Sequence, residues 1–363
     1  MRRRPAALFL NPPRHRAAAR PPWQAATLLP RPSYGRPTAV PPVPPVPLES
    51  PEPSASPVSP VSLCRRSAAL LLVPALVLVL AGCTGTPGGE LDLRVGGPFG
   101  GRPTIVFPDG KPVEGLQVDE LATGKGEPLE KDDVAIVQYT AHVWDGRGNR
   151  LVDSSFNRGT PAAFPVGELL PGLEAALRGR RVGSRVIAAI PPGDGFGPNP
   201  PRGITAGEEL FYVVDILGAH HKGASVQARG GTLAGVRVSG AARPVLSVPA
   251  TAPPGRFTAK VLARGDGRAA RNGQLVVTQY AGALWNGGRV FDATWSTGRP
   301  KAFKLGDGSV IKGWDRALTG VPAGSRVLMI VPPAYGYGVA GHPAYGIKGS
   351  DTLVFVVDLI AAY

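Results

Sequence analysis

Apolar positions along this chain follow two rhythms. From residue 93 onward most fall in short β-branched and aromatic blocks, such as "QLVVTQYAGALW" at 274–285 and "TLVFVVDLI" at 352–360. Glycine- and proline-rich turns separate them, and this pattern predicts strands. "SRVLMIVPP" at 325–333 is a shorter apolar run stopped by prolines. The second rhythm occurs twice and is helical. In "GWDRALTG" Trp314, Ala317 and Leu318 stand at i, i+3 and i+4, and "GLEAALRG" repeats the spacing with Leu173, Ala176 and Leu177. Sheets that each carry one short helix predict an α+β fold.

The pattern is also duplicated. Tyr139 in "VQYT" and Tyr280 in "TQYA" lie 141 residues apart, and "VGSRVIAAIPP" meets "AGSRVLMIVPP" at the same offset. Arg102-Pro103 and Arg243-Pro244 keep it, as do Gly124 and Gly265. The offset drops to 139 at "VDSS"/"FDAT" and ends at 143 at "YVVDIL"/"FVVDLI", as small insertions at turns produce. Two homologous domains are therefore expected at 93–219 and 234–363, joined by a flexible linker at 220–233.

The first 82 residues follow neither rhythm. Residues 1–60 are rich in proline, arginine and alanine, a composition that cannot build a packed core. They read as a disordered leader, and we expect translation to begin near Val61, downstream of it. Residues 61–82 read as a signal peptide: Arg65-Arg66, then "SAALLLVPALVLVL", then small residues. That apolar run is shorter than the ~20 residues of a membrane-spanning helix and contains Pro74. Leu80-Ala81-Gly82-Cys83 resembles the bacterial lipobox. The resemblance implies a lipidated Cys83 as mature N-terminus and an extracytoplasmic protein anchored to the cell membrane, since two acyl chains hold firmly where one does not. The other cysteine, Cys64, would leave with the signal, so no disulfide is expected.

Charge narrows the function classes. The formal charge is +14, but ten arginines and only two acids in residues 1–82 account for +8 of it. The remaining +6 is spread over 281 residues with no basic helix or zinc-finger spacing, so no nucleic-acid partner is expected. The five histidines make no ligand spacing, which argues against a metal site. The 41 prolines and 49 glycines suit turns and short strands.

One constellation in the second repeat carries chemistry. "VVTQYAGALWNGGRVFDATW", "FKLGDGSVIKGWDRAL" and "VPPAYGYGVAGHPAYGIKGSDTLVFVVDLI" together resemble the FKBP-type peptidyl-prolyl cis-trans isomerases over essentially all of 256–363. The resemblance implies two FKBP-like domains, each a curved antiparallel sheet around a short helix, with a proline pocket between them. It makes Trp314 the pocket floor and Tyr280, Phe291, Phe303 and Phe355 its walls, with Val310 and Ile311 at the rim. Tyr337 offers a hydroxyl, Asp292 a carboxylate, and His342 and Ile347 sit on a covering flap. Tyr335 reads as structural. The implied partners are X–Pro segments of unfolded or exported proteins and macrolide FKBP ligands, with no cofactor. Lys301 stands where the family usually has an aromatic, Thr297 where an arginine commonly pairs with the aspartate, and the flap is one residue longer.

The first repeat departs further. Tyr139, Asp153 and Phe164 match, and Arg158 restores the arginine. However, Val152 replaces Phe291, Leu173 replaces Trp314, Phe196 replaces Tyr337 and Tyr212 replaces Phe355, and no histidine matches His342. A retained fold with a weakened site is expected. The rival expectation is a non-enzymatic chaperone or scaffold that only holds peptides.

Overall fold

The computed structural model describes residues 93–107, 110, 114–145 and 148–363. The leader at 1–60, the signal peptide at 61–82 and the lipidation site Cys83 lie outside the described residues. The first repeat contains β1 (Arg94–Gly96), β2 (Thr104–Val106), β3 (Gln117–Ala122), β4 (Val134–Trp144), β5 (Asn149–Ser154), α1 (Ser155–Arg158), β6 (Ala162–Pro165), α2 (Pro171–Leu177), β7 (Arg185–Ile190) and β8 (Glu209–His220). The second contains β9 (Gly231–Leu233), β10 (Val236–Ser239), β11 (Val245–Ser247), β12 (Thr258–Ala263), β13 (Leu275–Leu284), β14 (Val290–Ala293), β15 (Lys301–Lys304), α3 (Lys312–Leu318), β16 (Ser325–Val331) and β17 (Leu353–Ala362).

Each repeat is built on a six-stranded antiparallel sheet. The orders are β3-β7-β8-β4-β5 with β6 on β4, and β12-β16-β17-β13-β14 with β15 on β13. The fold is α+β, as the apolar pattern predicts. Helices α2 and α3 bury the predicted faces, Leu173, Ala176 and Leu177 in one and Trp314, Ala317 and Leu318 in the other. The one-turn helix α1 is an addition to the expected single helix per repeat.

Strands β7 and β16 are buried along their whole length, which explains why their sequences are continuous apolar runs rather than alternating ones. In β16, Val327, Met329 and Val331 face the helix side, while Leu328 and Ile330 face a second layer. That layer is the small sheet β11-β10-β9, through Val236, Val238 and Leu246. In the first repeat the β1–β2 hairpin does the same, with Leu93, Val95 and Ile105 against Ile187, Ala189, Phe211 and Val213. The repeated Arg-Pro dipeptides open the second strand of each hairpin.

A buried ion pair fastens each outer layer. Arg185 Nε and Nη2 donate to Asp215 at 2.6 and 2.7 Å, and its remaining donors reach the carbonyls of Gly97 and Pro98. Arg326 pairs with Asp358 at 2.6 and 2.8 Å and donates to the carbonyls of Val226, Ala228 and Gly240.

This corrects the linker. Strand β8 extends to His220 and β9 begins at Gly231, so only 221–230 is irregular. That segment is tied down: His221 to Asp133 at 2.9 Å, Gly223 N–H to the Gly298 carbonyl at 2.7 Å, and Val226 N–H to Asp358 at 3.0 Å. The two repeats also pack through equivalent faces. Val134, Ile136, Ala163 and Leu217 of the first meet Leu275, Val277, Ala302 and Ile360 of the second, their own counterparts in the repeat. At one border Arg299 bridges to Asp132 and Glu168, and His220 Nε2 shares a 2.8 Å hydrogen bond with the Tyr363 hydroxyl. A flexible junction fails here because both its ends and the faces beside it are occupied.

Candidate active site

In the second repeat the candidate residues converge between the sheet and α3. Trp314 is buried at the first turn of the helix, and three rings meet it edge-on. These are Tyr280 at 5.1 Å and 86°, Phe303 at 5.4 Å and 74°, and Phe355 at 5.6 Å and 85°. Phe291 stands against Phe355 at 5.7 Å and 87°. Edge-to-face packing sets the positive ring edges against the negative faces, so each ring supports its neighbour. Val310 and Ile311 pack half-buried at the border of this cluster. Ile311 caps α3 without a side-chain hydrogen bond, and its carbonyl accepts the Trp314 N–H at 2.9 Å.

The polar groups gather on one side. The Tyr280 hydroxyl donates to Asp292 Oδ2 at 2.5 Å. Burial, then the neighbouring Asp292 carboxylate, push the Tyr280 phenol well above its ordinary pKa, so it keeps its proton. Tyr337 is half-buried, and its hydroxyl makes no hydrogen bond among the described residues. Burial, with Tyr345 and Asp292 nearby, also raises it and keeps it a donor. Tyr335 is fixed elsewhere: Arg316 Nη1 donates to its hydroxyl at 2.9 Å, and its ring packs on Phe257 at 5.2 Å.

The flap owes its shape to three short 3₁₀ turns, at Pro333–Tyr335, Gly338–Ala340 and Pro343–Tyr345. His342 and Ile347 exchange backbone hydrogen bonds of 2.8 and 3.1 Å across its end. Gly341 adopts φ 61°, and a Cβ there would lie 2.3 Å from the Ile347 carbonyl oxygen. The His342 ring sits between Tyr337 at 4.9 Å and Tyr345 at 4.6 Å, with Nδ1 buried and unpartnered among the described residues. Ile347 is buried in the core.

Two contributors escape a reading of motifs alone. Tyr345 closes an arc of rings, Tyr337–His342–Tyr345–Phe291, and Arg289 holds it by donating to the carbonyls of Tyr345 and Gly346 at 3.1 Å. Gly282 lies on β13 beneath the rings of Phe291 and Phe355, where a Cβ would come within 2.7 and 2.6 Å of them. Aligning the repeats would have found it, since Ala141 stands at this place in the first.

That first site keeps the polar half and three rings, but has Leu173 and Val152 where the second has Trp314 and Phe291. Tyr139 donates to Asp153 at 2.5 Å, and Arg158 reaches Asp153 and the Tyr139 oxygen. Phe164 and Tyr212 pack on Tyr139 at 5.0 and 6.1 Å. Leu173 is buried at the Trp314 position, and Val152 and Phe196 lie half-buried in the same cluster.

Comparison with known proteins follows the repeat. The FKBP-type peptidyl-prolyl cis-trans isomerase family matches residues 125–217 and again 266–360, leaving both outer hairpins outside the match. An FK506-binding protein of Streptomyces anulatus is 39% identical over 119 residues, covering 33% of this chain and 96% of that protein. A peptidyl-prolyl cis-trans isomerase of Saccharomyces cerevisiae is 44% identical over 97 residues, covering 27% of this chain but only 23% of its own length. The crystal structure of FkpA from Escherichia coli is 37% identical where it aligns, covering 29% of this chain and 47% of that one with a TM-score of 0.27.

Proposed function

The chain belongs to the FKBP-type peptidyl-prolyl cis-trans isomerase family, and on that premise we propose that its second repeat does most of the catalysis, acting on exported proteins at the outer face of the cell membrane. The supporting observation is the aromatic box on Trp314, which is complete in the second repeat, whereas the first has Leu173 in place of the tryptophan.

The reaction needs a site of this kind. Rotation about a peptide bond faces a barrier of ~18–20 kcal/mol, because resonance flattens the amide. Uncatalysed X–Pro exchange therefore takes on the order of tens to hundreds of seconds. An apolar pocket disfavours the charge-separated resonance form that makes the amide rigid. In this reading the proline ring settles on Trp314 between Phe291, Phe303 and Phe355. The Tyr337 hydroxyl and the Ile311 backbone N–H then donate to carbonyl oxygens of the twisted substrate. Binding the twisted state more tightly than either planar state supplies the rate, at tenfold for every ~1.4 kcal/mol. No bond breaks, so no nucleophile is required.

The same pocket would take macrolides of the FK506 type, the ligand for which the Streptomyces relative is named. The first repeat holds unfolded chain without turning it over efficiently, since Leu173 gives no flat floor and Phe196 no hydroxyl. Export and anchoring through lipidated Cys83 belong to the same reading. The test is refolding of a proline-limited unfolded protein with and without the full chain. Faster refolding, abolished by a macrolide, supports the reading; prevention of aggregation with no change in the slow phase would favour the pure chaperone.

A further inference from the structure

We propose that Lys301 is a positioning residue of the second site, a cation brought to Tyr280 and Asp292 from strand β15, where the first repeat brings Arg158 from helix α1. This rests on the isomerase reading of that site. Both repeats share the same tyrosine–aspartate hydrogen bond, Tyr139 to Asp153 and Tyr280 to Asp292, each 2.5 Å long. In the first repeat Arg158, the last residue of α1, serves this pair. Its guanidinium bonds Asp153, donates to the Tyr139 oxygen at 2.8 Å and lies over the Tyr139 ring at 5.3 Å.

Thr297 takes the place of Arg158 in the second repeat. Its hydroxyl turns back to the Thr294 carbonyl at 3.1 Å and brings no charge. The compensating change stands on the facing strand. Ala162 of β6 corresponds to Lys301 of β15 at the same 139-residue offset that relates Asp153 to Asp292. Lys301 Nζ donates to the Tyr280 oxygen at 3.4 Å, lies 3.9 Å from Asp292 Oδ2 and 5.7 Å from the Tyr280 ring centre. Lys301 thus meets the same three features, phenol oxygen, carboxylate and ring, from the other side and at longer distances.

The consequence is positional. A cation at the phenol oxygen leaves the Tyr280 proton directed at Asp292, and that bond fixes one edge of the ring that walls Trp314. Lys301 is half exposed, with 52% of its side chain in solvent, so its effect is that of a partly screened pair, about threefold in kcat/KM.

The experiment uses the full chain, with X–Pro peptide exchange followed by NMR and FK506 affinity followed by calorimetry. Lys301→Met keeps the stem without the charge and should lower both kcat/KM and affinity about threefold. Lys301→Arg should keep both near wild type. Thr297→Arg added to Lys301→Met should restore them, because it returns the cation to the position Arg158 uses. Lys301→Met equal to wild type in both readouts, or Lys301→Arg as weak as Lys301→Met, overturns the proposal. Wild-type chain without turnover would instead refute the isomerase reading, and FK506 affinity would then decide on Lys301 by the same criteria.

Discussion

Gly282 on β13 faces Phe355 on β17 directly in the strand pairing, and the Phe355 ring occupies the volume that a Cβ at 282 would need. In the first repeat Ala141 faces Tyr212 in the same register. The aromatic wall of the second site therefore depends on a residue with no side chain. Gly282→Ala should force Phe291 and Phe355 apart and lower isomerase activity at least tenfold. Overpacking of this kind costs about 1–3 kcal/mol in stability. Peptide turnover and thermal unfolding measured side by side check this, and full activity with a native melting point would show that the rings adapt.

The outer layer of the second repeat hangs on Arg326 and Asp358, both fully buried. Asp358→Asn leaves the guanidinium without its counter-charge and should cost about 3–5 kcal/mol. The loss should appear first in hydrogen exchange at 226–240, where Arg326 holds three carbonyls. Unchanged protection there would mean that hydrophobic packing alone keeps the layer in place.

Acid should loosen the contact between the repeats. Burial, then the neighbouring His221, lower the pKa of His220 to about 4 from an ordinary value of 6.5. The folded state thus favours neutral imidazole, and the unfolded chain binds the proton first as pH falls. This contribution is intact above 6.5 and is lost progressively between 6.5 and about 4. Melting curves of wild type and His220→Asn across that window should converge as pH drops. A constant gap between them would assign the acid sensitivity to other groups.

Much of this protein was legible in its sequence. The 141-residue repeat located both sheets with their helices, and the spacing of Trp314, Ala317 and Leu318 located the buried face of α3. Three features were not legible, for physical reasons. Arg326 and Asp358 sit inside apolar blocks 32 residues apart, and only the pairing of β16 with β17 brings them together. The junction at 221–230 has a linker's composition, and its order comes from partners distant in sequence, Asp133, Gly298 and Asp358. Tyr345 lies in the flap after His342, and only the fold of that loop brings its ring against His342 and Phe291.

The lipid anchor is tested apart from the fold. Mass spectrometry of the membrane fraction should find diacylglycerol on Cys83 and no peptide from 1–60. A Cys83→Ala chain that still fractionates with membranes after full signal processing contradicts the anchor. Peptides from 1–60 contradict only the start near Val61.

The most direct measurement of the central claim rewrites the second site with residues of the first. In the full chain, Trp314→Leu with Tyr337→Phe copies Leu173 and Phe196, and X–Pro exchange is compared with that of wild type and of Phe196→Ala. The double variant should keep about one hundredth of the wild-type rate, the loss of roughly 2.7 kcal/mol of transition-state binding, while Phe196→Ala keeps nearly all of it. A double variant that retains half the rate, or a Phe196→Ala chain that loses most of it, would place the catalysis in the first repeat or in both.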